Sequence, residues 1–326
     1  MFVAQTEKTE DLDAKGMFMS NPRADVHDGK ERERRSTIED SPMSAEIDIK
    51  APISRQILLL SYREALNIIR DYPALGGRFG VTILLNLLFG LIFLGAGKRN
   101  DADYSNFSSH FGALTMVSIA SLFGTAQPVM LGFPFERPMF MREYSTGSYA
   151  AFSYFISKAI AELPLAFAQI VVQYLLVYFM CGFNGNWIFM VLAAWGIGLS
   201  ASSSAVILGC AVADAKQVTE LAPLIFVPQL LFAGFFILTS QIPVFIRWAQ
   251  WLCGLKYGMN LLVLTEFNPS NPSCQGAAAA NCASIISSND IVSSQWWVYM
   301  LLLIAIFIVF RSIGCIVLVQ KAKRFY

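Results

Sequence analysis

Long apolar runs separated by short polar stretches dominate the chain from about residue 79 onward. A helix that crosses a membrane needs about 20 consecutive, predominantly apolar residues. The last run opens with Trp296 and Trp297, and tryptophan is enriched at the membrane–water interface. The pattern therefore predicts an all-α polytopic membrane protein. Its six predicted transmembrane helices lie at about residues 79–97, 107–133, 151–180, 187–213, 218–238 and 296–319.

Two further segments contain many apolar residues but are not predicted to cross the membrane. Residues 54–70 alternate apolar and charged positions with a helical period, which predicts an amphipathic helix lying in the interface. Pro73 and the glycines that follow predict a break before the first span. Residues 241–264 are aromatic but interrupted by proline and glycine, which favours short re-entrant or interfacial helices before the last span.

The N-terminal region has a different composition. Residues 1–50 hold 8 Lys/Arg and 12 Asp/Glu and contain no apolar run as long as that of a signal peptide. We predict that residues 1–53 form a disordered cytoplasmic tail and that residues 54–326 form the transmembrane domain. The whole chain is only 14% charged, against about 25% in soluble domains. Its net charge of +1 also argues against nucleic-acid binding.

Basic residues near the predicted spans set the orientation. Short cytoplasmic loops carry an excess of Lys and Arg, and eleven such residues lie on the side of both termini against four on the other. This places both termini in the cytoplasm, and we expect the plasma membrane as the host. The same topology puts Asn106, in the sequon Asn106–Ser108, on the outer side as a candidate glycosylation site.

Two cysteines differ from the others in their surroundings. Cys274 and Cys282 lie eight positions apart in a polar, alanine-rich stretch on the predicted outer side, where a disulfide or a metal site would both be conceivable. No histidine or carboxylate lies between them, which favours the disulfide. The chain has 2 histidines, too few for a His-based metal cluster.

The strongest local motif follows the second predicted span. Residues 133–144 interleave charges with aromatic side chains in a predicted cytoplasmic loop, which indicates either a docking surface or ordinary snorkelling at the membrane edge. We expect ion pairs between this segment and the amphipathic helix. The candidate pairs join Arg63 and Arg70 of the helix to Glu136 and Glu143 of the loop. Arg137 and Arg142 complete the charged residues of the candidate docking surface.

Ion pairs can also be predicted for charged residues within the spans. Lys158 and Glu162 are four positions apart on one predicted helix and are expected to pair with each other. Arg311, in the middle of the last span, could snorkel, pair with Glu220 or line a pathway.

The charged segment at residues 133–144, together with the residues that follow it, resembles the membrane domain of G-subfamily ABC transporters. This is the white and pleiotropic-drug-resistance type with the ABC-2 membrane fold. The resemblance covers about residues 54–326 in collinear order. The positions that carry it are Glu136, Arg137, Phe140, Arg142, Glu143, Tyr144, Gly147, Tyr154, Lys158, Glu162, Pro164, Ser202–Ser204, Phe232–Phe235, Ile242, Pro243, Trp248, Lys256–Gly258, Glu266, Phe267 and the two outer cysteines.

The resemblance implies half of an exporter that dimerises around a central cavity. Residues 54–70 would be the connecting helix, residues 136–144 the coupling loop, and Cys274 and Cys282 a disulfide in the outer loop. Phe235 and Phe236 would form an apolar plug on the outer side of the cavity. The residues expected to line the cavity are Ser121, Phe123, Gly124, Val227, Leu230 and Leu231, which suits lipid-like or amphipathic substrates, although plain helix packing explains the same residues.

One departure from the resembled family is decisive for the chemistry. The sequence holds no G-x-x-x-x-G-K-[ST] phosphate loop, so we expect no enzymatic activity, no cofactor and no metal on this chain. ATP and Mg²⁺ would bind a nucleotide-binding domain supplied by a partner in a homodimer or heterodimer. A non-transporting regulatory subunit that dimerises with full-length transporters, or a truncated gene product, is the alternative. A polytopic membrane enzyme is disfavoured, because the sequence shows no nucleophile–base arrangement.

Overall fold

The structure is a computed structural model that describes residues 52–98, 104–146, 148–212, 214–237, 242–271, 274–275, 278–289 and 291–325. The predicted tail, residues 1–53, lies outside the described residues except for its last two positions. Gly147 and the predicted span ends at residues 213 and 238 also lie outside them.

The described residues are almost entirely helical. The α-helices are α1 (Ile53–Arg70), α2 (Tyr72–Ile92), α3 (Tyr104–Ser145), α4 (Ala151–Cys181), α5 (Trp187–Ala211), α6 (Ala215–Leu231), α7 (Gly254–Glu266), α8 (Ala279–Ser288) and α9 (Trp296–Phe325). Short 3₁₀ helices cover Ala96–Lys98, Arg247–Leu252 and Ser293–Gln295. The prediction of an all-α membrane protein with an amphipathic helix before the first span is confirmed.

Five of these helices, α2, α3, α4, α5 and α9, are long and apolar enough to cross a membrane. The fifth of the six predicted spans corresponds to α6, whose 17 residues are shorter than predicted. Pro223 and Pro228 lie inside α6, and the chain turns at Gly234, where the backbone adopts a φ of 90° that favours glycine. At about 1.5 Å per residue, α6 is about 25 Å long, near the lower limit for a span.

Two predicted boundaries differ from the structure. The break before the first span lies at Asp71, which caps α2 by accepting a hydrogen bond from the Ala74 amide, and the glycines after Pro73 are helical. Residues 133–144 are the last three turns of α3 and do not form a loop. Pro134 and Pro138 lie inside this helix, where side-chain packing outweighs the backbone hydrogen bonds that proline removes.

Helix α5 lies at the centre of the bundle. Small residues let its neighbours approach closely: the Thr125 hydroxyl of α3 donates to the Gly198 carbonyl at 3.1 Å, and Gly258 of α7 leaves room for Ile197. The serines of α5 at positions 200 and 202–204 are buried, and each donates its hydroxyl to a carbonyl of its own helix. This core holds the surrounding helices in one bundle.

The two ends of the bundle are built differently. At one end, here called the α1 end, α1 packs against the C-terminal part of α3 and the start of α4. At the other, the disulfide end, α7 and α8 follow the break near Pro243, in agreement with the predicted re-entrant or interfacial helices. A disulfide joins Cys274 to Cys282, with their Cα atoms 5.9 Å apart.

Candidate functional site

At the α1 end, polar side chains join α1, the end of α3 and the segment before α4. Arg63 of α1 donates from one nitrogen to both carboxylate oxygens of Glu143 in α3, at 3.1 Å each. The Tyr149 hydroxyl donates to the same carboxylate at 2.7 Å. Burial lowers the pKa of Arg63, but the hydrogen bond and the charge of Glu143 outweigh it and raise that pKa. Burial and the bond to Glu143 also raise the pKa of Tyr149. The Arg63 guanidinium therefore stays charged and the Tyr149 hydroxyl stays protonated.

A second set of ion pairs continues from this cluster into the bundle. Lys158 of α4 pairs with Glu136 of α3, and Glu162 of α4 pairs with Arg311 of α9. The expected pair between Lys158 and Glu162 is therefore wrong, and so is the suggested partner Glu220 for Arg311. Both α4 side chains reach neighbouring helices, because a carboxylate on α3 and a guanidinium on α9 lie closer than the next turn of α4. The two pairs tie α3, α4 and α9 together.

Aromatic packing fixes the end of α3 against the start of α4. Phe140 is buried, and its ring centroid lies 4.8 Å from that of Tyr154, 5.7 Å from that of Tyr144 and 6.4 Å from that of Tyr149. Gln56 of α1 adds a polar contact by accepting from the Ala150 amide at 3.2 Å. Helix α1 is thereby attached both to the end of α3 and to the start of α4.

The remaining predicted residues of this region divide into buried and exposed positions. Arg137 is buried, whereas Arg142 is exposed on the surface of α3. Phe135 and Met139 are exposed beside Arg142, so this side of α3 combines a basic side chain with apolar ones. Arg70 is exposed at the end of α1, and no ion pair involving it occurs within the described ranges. The structure thus brings Arg63 to Glu143 but does not bring Arg70 to either glutamate.

A cavity of about 380 Å³ lies between α1, α2, α3 and α4 at the α1 end. Its walls contain both arginines and carboxylates, among them Arg63, Arg78, Glu136 and Glu143. The cavity therefore lies beside the Arg63–Glu143 ion pair, and its walls carry charges of both signs.

The predicted cavity-lining residues fall into two groups. Val227 and Leu231 are exposed on one face of α6, together with Leu224, which the sequence analysis did not single out. Leu230 and Phe123 are half-buried, and the Phe123 ring lies 5.6 Å from that of Phe226, where α3 and α6 meet.

Ser121 and Gly124 face the neighbouring helix α4. The Ser121 hydroxyl is fully buried and accepts from Gln173 at 2.9 Å, while the Gly124 carbonyl accepts from Gln169 at 2.9 Å. Their position favours helix packing over a lining role. The exposed apolar face therefore comes mainly from α6, with Phe123 at its edge.

The residues predicted for the outer side lie at the disulfide end. Phe235 and Phe236 follow α6, with ring centroids 4.5 Å apart, and the Phe236 side chain is largely exposed. Asn106 lies in the first turn of α3 and is half-buried. The expected pairing of Cys274 with Cys282 is present.

The sequence analysis missed a buried acid–base pair at the disulfide end. His110 of α3 lies 2.8 Å from Glu266 of α7, and both side chains are fully buried. Glu266 also accepts from the backbone amides of Asn184 at 2.9 Å and Gly185 at 2.8 Å. A histidine and a glutamate near the ends of apolar runs were the only signals in the sequence, and 156 positions separate them.

Comparisons with known proteins agree with this architecture. The family described as "ABC-2 type transporter" matches residues 55–267. The chain is 27% identical over 226 residues to the Protein white of Drosophila melanogaster, covering 68% of this chain and 32% of that protein. It is 24% identical over 279 residues to ABC transporter G family member 4 of Arabidopsis thaliana, covering 82% of this chain and 48% of that protein.

A mammalian transporter gives a similar result over more of the chain. The chain is 24% identical over 299 residues to the broad substrate specificity ATP-binding cassette transporter ABCG2 of Sus scrofa, covering 87% of this chain and 45% of that protein. The chain therefore spans between about a third and a half of the length of these relatives.

Proposed function

The chain belongs to the ABC-2 type transporter family, and from that premise we propose that it is the permease part of an exporter for lipid-like or amphipathic molecules. In this proposal two such subunits, identical or related, enclose the substrate path, and ATP-binding domains power it. Those domains, with ATP and Mg²⁺, would belong to a partner subunit or to a longer form of this chain. The protein would reside in the plasma membrane with both termini in the cytoplasm.

The observation that carries the proposal is the hydrogen-bonded cluster of Arg63, Glu143 and Tyr149 at the α1 end. Charge-assisted hydrogen bonds among Arg63, Glu143 and Tyr149 link α1, the end of α3 and the segment just before α4. Beside this cluster, α3 exposes Arg142 with Phe135 and Met139, a combination of charge and apolar area that suits a protein partner. A partner that pushes on this surface would move α3 and α4, both of which are long enough to cross the membrane.

The apolar face of α6 supports the assignment of the substrate path. Leu224, Val227 and Leu231 are spaced three and four positions apart, so they share one side of the helix. In the proposed dimer this side faces the second subunit across the path, with Phe235 and Phe236 closing its outer end. An apolar path of this kind favours hydrophobic substrates without selecting strongly among them, since a methylene contributes only about 1–3 kcal/mol.

Reversal of one exposed charge tests the proposal. Flux of a fluorescent lipid analogue is measured in inside-out vesicles that contain the protein and a co-expressed ATP-binding subunit. We expect Arg142→Glu to reduce ATP-dependent flux by about tenfold, because an interfacial charge is then opposed by a like charge. The melting temperature should stay close to that of the unmodified protein, since Arg142 is exposed.

The matched control is Lys216→Glu, which makes the same charge change at an exposed position of α6. Equal flux in the Arg142 and Lys216 variants would show that the docking surface is assigned wrongly. Absence of ATP-dependent flux in the unmodified protein, combined with stable association with a full-length relative, would instead support the regulatory alternative.

A further inference from the structure

The disulfide end contains a cavity of about 980 Å³ that the proposed transport path does not use. Its walls come from the start of α5, the end of α7, one side of α8 and the start of α9. None of the predicted path residues of α3 or α6 lines it. The volume lies at the upper end of the range of about 300–1,000 Å³ that is usual for small-molecule sites.

The described side chains that line the cavity are either apolar or polar without charge. Among the described residues that line the cavity there is no Asp, Glu, Lys, Arg or His. Apolar side chains such as Leu261, Ile286 and Met300 alternate with amides and hydroxyls such as Asn268, Thr265 and Ser287. The hydroxyls of Thr265 and Ser287 donate to helix carbonyls at 2.8 and 3.0 Å, which leaves their oxygen lone pairs able to accept from a ligand hydroxyl.

The cavity begins at the first turns of α5 and α9, two helices long and apolar enough to cross a membrane, and extends along them. Trp296 and Phe189 line it at the first turns of α9 and α5, with ring centroids 6.2 Å apart and both side chains about half exposed. Ala193 and Met300, also in the wall, lie about 9 Å and about 6 Å further along their helices than the first residues of these helices. A molecule in the cavity would therefore have one end at headgroup level and the other among apolar side chains.

Rigid contacts hold the walls in place. Cys274 and Cys282 both line the cavity, so the disulfide fixes α8 to the segment after α7. The Asn271 amide donates to the carbonyls of Thr265 and Glu266 at 2.9 and 2.8 Å and fixes that segment to α7. A preformed cavity loses little conformational freedom when a ligand binds, which favours affinity.

We propose that this cavity binds an uncharged amphiphile from the outer leaflet, a lipid with a hydroxyl headgroup such as a diacylglycerol. The ligand hydroxyl lies among Asn268, Thr265 and Ser287, and the apolar body lies between α5 and α9. A phosphate headgroup is disfavoured, because the described wall offers no cation to compensate its charge.

Photolabelling of the full chain in lipid nanodiscs tests the site. The probes are a photoreactive short-chain diacylglycerol and the matching photoreactive phosphatidic acid, and labelled peptides are identified by mass spectrometry. We expect the diacylglycerol to label peptides of α7, α8 and the start of α9 at least several times more strongly than the phosphatidic acid does. Labelling confined to lipid-facing helices such as α2, or equal labelling by the two probes, would overturn the proposal.

Helix α8 offers a matched pair of variants. Ala283 and Ala280 are both exposed on this helix, but only Ala283 lines the cavity. Ala283→Trp should fill part of the cavity and lower diacylglycerol labelling several-fold, while Ala280→Trp should leave it unchanged. If Ala283→Trp lowers the yield of folded protein, Ala279→Leu makes a smaller change at another lining position. Equal labelling in the filled variants and in Ala280→Trp would contradict the proposal, whatever the outcome of the flux experiment.

Discussion

The two ends of the bundle hold their glutamates in opposite ways. At the α1 end, Glu143 is partly exposed and bonds to the side chains of Arg63 and Tyr149 on separate segments. At the disulfide end, Glu266 is fully buried and bonds to two backbone amides and to His110. Side-chain bonds in partial contact with water can re-form after a small movement, whereas a buried carboxylate that loses its donors is left unsolvated. We therefore expect the contacts of Glu143 to re-form more readily after a small movement than those of Glu266.

Among the variants that test this comparison, removal of the buried Glu266 carboxylate should give the largest loss of stability. In Glu266→Gln, the amide NH₂ group cannot accept from one of the two backbone amides, and His110 loses an anionic partner. We expect a loss of about 3 kcal/mol in the free energy of unfolding of the purified protein. The control is Glu220→Gln at an exposed position of α6, which should change stability by less than about 0.5 kcal/mol. Similar melting temperatures for the two variants would refute the assigned role of Glu266.

Removal of the disulfide should give the next largest effect. The bond closes a short loop between residues eight positions apart, and the chain-entropy relation gives about 2–3 kcal/mol for a loop of this size. The double variant Cys274→Ser with Cys282→Ser should lose that amount, measured by denaturant unfolding. Addition of a reducing agent to the unmodified protein should give the same loss and should not change the double variant further. A reductant-sensitive double variant would show that another part of the chain is responsible.

The ion pair at the α1 end should give the smallest effect on stability. A double-mutant cycle of Arg63→Ala and Glu143→Ala is expected to give a coupling energy of about 1 kcal/mol or less, because both side chains are partly exposed. The coupling should fall as salt is raised, since exposed charges are screened. The reference is Arg70→Ala on the same helix, which should be neutral within error. A coupling of about 3 kcal/mol that is insensitive to salt would remove the contrast between the two ends.

Local patterns in the sequence were sufficient to predict those structural features that depend on residues close together in the chain. The third, fourth and last spans were predicted close to the observed α4, α5 and α9, because long apolar runs can hardly form anything else in a membrane. The disulfide followed from two cysteines in one polar segment. The pair between Arg63 and Glu143 was among the expected ones, because the amphipathic helix and the charged loop were predicted on the same side of the membrane.

Features that depend on distant helices could not be read in the same way. Lys158 and Glu162 had the spacing of a helical ion pair, yet their partners come from α3 and α9, and only the packed bundle reveals them. Residues 133–144 were predicted as a loop, but they continue α3, and Phe140 in this segment packs against Tyr154 of α4. His110 and Glu266 meet only because α7 returns to the start of α3.

Helix α3 has 42 residues and is therefore about 63 Å long, about twice the thickness of the hydrocarbon layer. Its prolines at positions 128, 134 and 138 remove backbone hydrogen bonds within one short stretch, so bending stiffness is lowest there. Glu136 lies within this compliant stretch and Glu143 lies beyond it, and each is braced to another helix by an ion pair. These two ion pairs connect the proline-containing part of α3 and its C-terminal end to α4 and α1. In the proposed function, a force that a partner applies to the C-terminal end of α3 would reach the membrane-spanning part of this helix to an extent set by the strength of the two ion pairs.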